Sequence, residues 1–183
     1  MRIALVGSHN TGKTSLYSKM YSDPLFSGYE FFPEAVREVN KMGFPINEGA
    51  TDASQLAMCA LHLQHLTYKN IVTDRCLWDN FIYAWVINSQ QNSKVSDLCV
   101  RTIESYFLDT INDIDLYVYC PIEFEMFNDG VRTVDKEFQK DIDNAFQSTC
   151  KFIPQERVLF ISGETPDRLE QIKSRVKEIL KWH

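Results

Sequence analysis

An α/β fold, a parallel five-stranded sheet flanked by helices, is predicted from three observations. Short apolar runs alternate with longer stretches of helical periodicity along the chain. The first run, "RIALV", is continuous rather than alternating, as a strand buried on both faces requires. The length of 183 residues suits one domain, 1–183, and a 44% hydrophobic content can build a full core.

The elements follow in order. "RIALVG" is the first strand, and "TGKTSLYSKMY" opens the first helix. "YEFFP" is a second, shorter strand. "EAVREVNKM" is a helix with Val36, Val39 and Met42 on one side, stopped by Gly43 and Pro45. Asp52 followed by Gln55 reads as a capping box for a helix over 53–69. Its apolar face is Leu56, Ala60 and Leu63, then Leu66 or Thr67. "NIVTDR" is the third strand. Two helices follow, "LWDNFIYAWVIN" and "VSDLCVRTIESYFLDTIN", joined by the polar surface loop "NSQQNSK". "DLYVYC" is the fourth strand, and "FNDGVRTVD" is rich in turn residues. The next helix turns Phe138, Ile142, Ala145 and Phe146 inward. "VLFISG" is the fifth strand. Thr165 and Pro166 start the last helix as N-cap and first-turn proline, and Leu169, Ile172, Val176 and Ile179 form its apolar stripe.

Bulk properties narrow the function classes. A net charge of −6 and a pI near 5.2 argue against broad, non-specific nucleic-acid binding, which needs a basic face. The five cysteines (59, 76, 99, 120 and 150) are odd in number and widely spaced, which argues against a disulfide framework or a zinc site. The first apolar run is too short for a signal peptide, and no segment approaches the roughly 20 apolar residues of a membrane span. The expectation is a soluble, cytoplasmic protein.

The chemistry begins at "GSHNTGKT". Gly7 through Thr14 match G-x-x-x-x-G-K-[ST] between a strand and a helix, where a phosphate-holding loop must sit. The loop N–H groups of Gly7, Asn10, Thr11, Gly12, Lys13, Thr14 and Ser15 converge on phosphate oxygens, aided by the positive end of the following helix. Lys13 is placed to reach the β- and γ-phosphates, and Thr14 to hold magnesium. The motif implies ATP or GTP with Mg2+, without fixing the reaction.

Guanine-specific proteins read their base with N-K-x-D; "NKMG" lacks the aspartate and lies elsewhere in the chain. The third strand ends in Asp74-Arg75. Asp74 is available to magnesium, directly or through water. Hydrolases commonly follow such an aspartate with a glutamate that activates water, but here the neighbour is a cation. Arg75 suits a phosphoryl group or a partner acid, which favours transfer to a specific acceptor.

At this point the sequence resembles the nucleoside and nucleotide kinases of the P-loop superfamily. It is most similar to the AAA-type domain shared by nicotinamide riboside kinases of the NadR type and by short phage-encoded kinases. The matching pieces are "VGSHNTGKTSL", "FFPEAVREV", "SQLAMCALHLQHL", "VTDR" and "NDGVRTVDKEF", which together span about four fifths of the chain. The resemblance implies strand order 2-3-1-4-5, ATP as donor, and a small helical lid around 124–140. In similar kinases an acid after the second strand accepts the proton of the attacking hydroxyl, and Glu34 holds that place. Lid arginines contact the transferring phosphate in such enzymes, and Arg132 in "DGVRT" is the candidate, with Lys136 beside it.

The acceptor side draws on Glu34, Arg37, Arg75 and Gln64. Arg37 lies one turn after Glu34 and can grip an acceptor phosphate or sugar; a surface ion pair between the two is the simpler alternative. Gln64 offers both a donor and an acceptor to a base edge, whereas Gln55 is spent on its cap. Phe31, Phe32, Trp78 and Trp85 read as core residues before stacking platforms, and His9 is given no catalytic role. The expected function is ATP- and Mg-dependent phosphotransfer to a hydroxyl or phosphate of a nucleoside- or nucleotide-like acceptor. Two alternatives stand beside it: a hydroxymethylated pyrimidine in DNA as acceptor, and a nucleotide-dependent switch ATPase with no phosphoacceptor. A homodimer is compatible with the sequence.

Overall fold

The structure is a computed structural model that describes residues 1–123 and 135–181. Its five strands are β1 (Arg2–Val6), β2 (Glu30–Phe32), β3 (Ile71–Asp74), β4 (Leu116–Tyr119) and β5 (Val158–Phe160). They form one parallel sheet in the order β2-β3-β1-β4-β5, as the resemblance implies. The helices among the described residues are α1 (Lys13–Tyr21), α2 (Ala35–Lys41), α3 (Asp52–His65), α4 (Leu77–Asn88), α5 (Asp97–Thr110), α6 (Lys136–Thr149) and α7 (Thr165–Lys181).

Alternation along the strands creates two cores. Ile3 and Leu5 join Leu16 of α1 and Ile172 and Val176 of α7 on one face; Ala4 and Val6 join α4, α5 and α6 on the other. Trp78 is fully buried in the second core, edge-on to Phe146, with its indole N–H donating to Thr149 Oγ1 at 2.9 Å. The five cysteines are free. No helix among the described residues is long and apolar enough to cross a membrane.

Register positions the chemistry. Leu5 of β1 pairs with Asp74 of β3, and the N–H of Arg75 donates to the Leu5 carbonyl at 2.9 Å. Asp74 and Arg75 therefore leave the sheet beside the loop that begins at Gly7. Phe32 of β2 pairs with Thr73. Glu34 and Arg75 each lie two residues beyond that pair and emerge side by side at the C-terminal edge, where open α/β sheets bind ligands.

Several details depart from the expectations. The cap of α3 is Thr51 with Ser54, not Asp52 with Gln55: Ser54 N–H donates to Thr51 Oγ1 at 3.3 Å and Thr51 N–H to Ser54 Oγ at 2.8 Å. Asp52 instead accepts the N–H and hydroxyl of Ser96, both at 2.7 Å, and ties α3 to the start of α5. α3 ends at His65, because the N–H groups of Leu66, Thr67 and Tyr68 bond back three residues rather than four. Its buried face is polar, formed by Ser54, Gln55, Cys59, His62 and His65, while Leu56 and Ala60 are exposed. Met42 is also exposed, one residue past the end of α2. Thr165 is the first residue of α7, one position inside the expected cap.

Candidate active site

The loop from Gly7 to Thr14 wraps the end of β1. Gly7 has φ 128°, and a Cβ there would stand 2.6 Å from the carbonyl oxygen of Cys120, so only glycine lets the loop pass the end of β4. Gly12 caps α1 in the left-handed region at φ 82°. Thr11 Oγ1 donates to the Ser8 carbonyl at 3.0 Å. Lys13 is folded back inside the loop, where its ammonium donates to the Ser8 carbonyl and, at 3.0 Å, to Thr11 Oγ1. Burial, helped by the Arg75 charge, lowers the Lys13 pKa to about 8. α6 braces the loop from outside: Ser8 Oγ donates to the Gln139 carbonyl at 3.0 Å, and Gln139 Nε2 donates to the His9 carbonyl at 2.7 Å.

Thr14 Oγ1 donates to Asp74 Oδ2 at 2.8 Å. Burial, reinforced by the Glu34 charge, raises the Asp74 pKa. Asp74 Oδ1 is buried without a hydrogen-bond partner among the described residues. A hydroxyl and an unsatisfied carboxylate oxygen at the foot of a phosphate-type loop fit a magnesium ion. Such an ion usually takes only one or two carboxylates and completes its shell with water and phosphate oxygens.

Beyond the loop lies a buried charge cluster. Arg75 Nε donates to Glu34 Oε1 at 2.6 Å, and its Nη1 reaches Asp79 Oδ1 at 3.2 Å and the Gly7 carbonyl at 3.3 Å. Its guanidinium carbon lies 4.8 Å from the centroid of the Tyr83 ring. Asp79 Oδ1 also accepts the N–H of Gly7 at 3.4 Å, and Oδ2 that of Cys76 at 3.1 Å. Burial raises the Asp79 pKa to about 6 against the pull of Arg75 and Lys13. Arg75 has φ 81°, a strained value for a side-chain-bearing residue. The Glu34, Asp79 and Gly7 contacts hold it in that conformation.

This cluster forms the inner wall of a cavity between α2, α3 and α4, closed by Met58, His62, Phe138 and Ile87. Glu34, Arg75 and Asp79 line it together with Gln55 and Asn80. Asn80 Nδ2 donates to Gln55 Oε1 at 2.8 Å, leaving Asn80 Oδ1 buried with no partner among the described residues. His62 stays uncharged: burial, with His65 and Arg75 nearby, lowers its pKa to about 3.

A model of the AAA domain family matches residues 2–168. The chain belongs to the AAA domain family. No curated protein matches its sequence. Among solved structures, this AAA domain is similar to the deoxyadenosine kinase of M. mycoides with dCMP and dCDP bound, at 17% identity and TM-score 0.63, over 98% of this chain and 100% of that one. It is similar to the NadR protein in complex with NR at 18% identity and TM-score 0.73, over 96% of this chain and 50% of that one. It is also similar to the thymidylate kinase of Candida albicans at 18% identity and TM-score 0.60, over 98% of this chain and 90% of that one. The fold of the AAA domain is that of the P-loop nucleoside and nucleotide kinases.

The structure brings Lys13, Glu34, Asp74 and Arg75 together around the loop, and places Thr14 against Asp74. Two acceptor-side candidates lie outside the cavity wall. Gln64 is exposed and does not line the cavity, whereas Gln55, free of any cap, does. Arg37 is half-exposed outside the cavity wall, its Nε 4.0 Å from Glu34 Oε2, the i,i+3 ion pair that sequence alone allows. Lys136 is exposed in the first turn of α6, and Arg132 lies outside the described residues. Sequence reasoning missed Asp79, Asn80 and His62. Asp79 carried one signal, a carboxylate in the first turn of the helix that follows Arg75.

Proposed function

We propose that this AAA domain is an ATP- and magnesium-dependent kinase that transfers the γ-phosphate to a hydroxyl or phosphate of a nucleoside- or nucleotide-like acceptor. The observation that carries the reading is the Glu34–Arg75 pair, set between the loop and the cavity. A switch protein needs no buried carboxylate beside a second cavity. In this reading the acceptor oxygen approaches the γ-phosphorus from the cavity. Its proton passes to Glu34, the new oxygen–phosphorus bond forms, and the bond to the β-phosphate oxygen breaks to release ADP. Arg75 aims Glu34 through its hydrogen bond, and its fixed positive charge favours the negative charge that develops on the transferring group. Thr14 and Asp74 would hold the magnesium ion, which when bound neutralises β- and γ-phosphate charge.

The cavity wall supports the acceptor class. Gln55 and Asn80 line the cavity as a bonded amide pair with Asn80 Oδ1 left over, and side-chain amides of this kind supply both donors and acceptors to the edge of a heterocyclic base. Neutral His62 and apolar Met58 and Phe138 suit an uncharged planar ring rather than a phosphate. The fold relationship to nucleoside and nucleotide kinases supports the same class. A second copy of the chain and a DNA acceptor gain no support from the fold or its relatives. The deciding experiment incubates the protein with Mg-ATP and a panel of nucleosides and nucleotides and reads products by mass spectrometry. A phosphorylated nucleoside or nucleotide is expected; ATP binding with no phosphorylated product from the panel would overturn the reading.

A further inference from the structure

Arg168 stands in the first turn of α7 and yet is only 1% exposed. A charged side chain is almost never buried to that extent unless its charge and donors are met. Its guanidinium donates to acceptors from three separate segments. Nη1 reaches the carbonyl of Thr11 at 2.7 Å, Nη2 reaches Glu123 Oε2 at 2.8 Å, and Nε reaches the carbonyl of Gly163 at 2.7 Å. Glu123 Oε2 also accepts the N–H of Gly163 at 2.8 Å, so the turn after β5 is held from both sides. The Arg168 hydrogen bond, followed by that of the Gly163 N–H, keeps the Glu123 carboxyl below its usual range.

We infer that Arg168 is a positioning residue for the donor nucleotide, acting through the Thr11–Gly12 peptide; this rests on the reading of the loop as the phosphate site. The described peptides are all trans, and in a trans peptide the carbonyl and the following N–H point to opposite sides. With the Thr11 carbonyl turned outward onto Arg168, the N–H of Gly12 is turned away from α7 and into the loop. That orientation needs a lock, because the glycine at φ 82° offers little resistance to a peptide flip. Thr11 is anchored by its own hydroxyl to Ser8 and receives Lys13 on the same oxygen, so one outward bond fixes three donors of the loop. Arg168 lies 157 residues from Thr11 in the chain, which ties the last helix to the first phosphate contact.

Titration of the folded protein with ADP and with Mg-ATP tests this, using wild type, Arg168→Met and Arg168→Lys, with KM for donor and acceptor measured separately. Met keeps most of the side-chain volume and loses every donor; Lys keeps the charge and one donor direction. Nucleotide affinity is expected to fall about 10- to 100-fold in Arg168→Met, the scale of a lost charge-assisted bond, and less in Arg168→Lys. The acceptor KM should stay within about two-fold. Should Arg168→Met not fold, the Lys variant carries the comparison. A purely structural arginine would lower thermal stability and leave donor affinity unchanged in the folded variants, and that result overturns the inference. Failure of wild type to bind either nucleotide would instead overturn the phosphate-site reading.

Discussion

Arg75 donates to Glu34 across 2.6 Å, and both side chains are nearly inaccessible to solvent. The pair joins the end of β3 to the N-cap residue of α2, at the inner wall of the cavity. Burying two charges is costly unless the geometry is good and the remaining donors are met. Asp79, the Gly7 carbonyl and the Tyr83 ring meet those of Arg75.

Glu34→Gln keeps the shape of the side chain and removes its capacity to take a proton. We expect nucleotide binding to persist and kcat to fall about 10²- to 10⁴-fold, the usual worth of a positioned base. Steady-state kinetics with a productive acceptor, alongside ADP titration, checks this. A loss confined to nucleotide affinity would move Glu34 out of the acceptor site.

Lys13→Ala removes an ammonium that, without nucleotide, is satisfied by the loop itself. Its pKa of about 8 shows that burial already strains the charged form. The fold should therefore tolerate the change, while turnover drops by about 10²-fold or more through lost phosphate stabilisation. Thermal melting and turnover are measured on the same sample. Near-normal turnover in a folded variant contradicts the role.

Gln55→Ala and Gln64→Ala separate the cavity from the helix surface. Gln55 is buried against Asn80 and Gln64 is exposed, so only the former should raise the acceptor KM, by about 10-fold. Equal effects would place the acceptor elsewhere.

The same glutamines mark where sequence reading stops. The strands, the phosphate loop and Asp74-Arg75 were legible because each depends on local pattern: continuous apolar runs, fixed glycine spacing, a charged pair at a strand end. The face of α3 was not. A helix is normally assigned its apolar side as the buried one, but α3 turns Gln55, Cys59, His62 and His65 inward because it walls a polar cavity as well as packing on the core. Thr51 and Ser54 could also be told from Asp52 and Gln55 only once Asp52 was seen bonded to Ser96. Arg168 lies on an amphipathic helix, and nothing near it in the chain announces Thr11 or Glu123.

His62 and His65 make stability sensitive to acid. Burial depresses their pKa values to about 3 and about 4, below the ordinary 6.5, so the folded state keeps them neutral. The unfolded chain takes up protons below pH 6.5, and the stability that favours the neutral rings is lost as pH falls from there towards 4. Each histidine contributes at most ~1.4 kcal/mol per pH unit in that window. Asp79 pulls the other way between about pH 6 and its ordinary 3.8, because burial raises its folded value. His62→Leu removes one titrating ring, so its thermal midpoint should fall less than that of wild type between pH 6.5 and 5. Parallel pH profiles would show that His62 is protonated in the fold.

Slow acceptor-free turnover is the last expectation. Water is a small and abundant competitor for the γ-phosphate, and a hydrolase must place a base beside it. Here the residue after Asp74 is Arg75, held at φ 81° with its guanidinium facing Glu34 and Asp79. The carboxylate best suited to act as base, Glu34, faces the cavity, and its Oε1 is occupied by Arg75. A water molecule is too small to be held by the cavity wall and the γ-phosphate at once, whereas a ring held by Gln55 and Asn80 aims its hydroxyl by its own rigidity. Basal ATP hydrolysis should be slow, and the correct acceptor should raise ADP production about 10²-fold or more, with one phosphorylated acceptor per ADP. A coupled assay follows ADP, and mass spectrometry counts the product. Rapid ADP release that no acceptor accelerates would make the protein an ATPase, with Glu34 or Asp79 serving water instead.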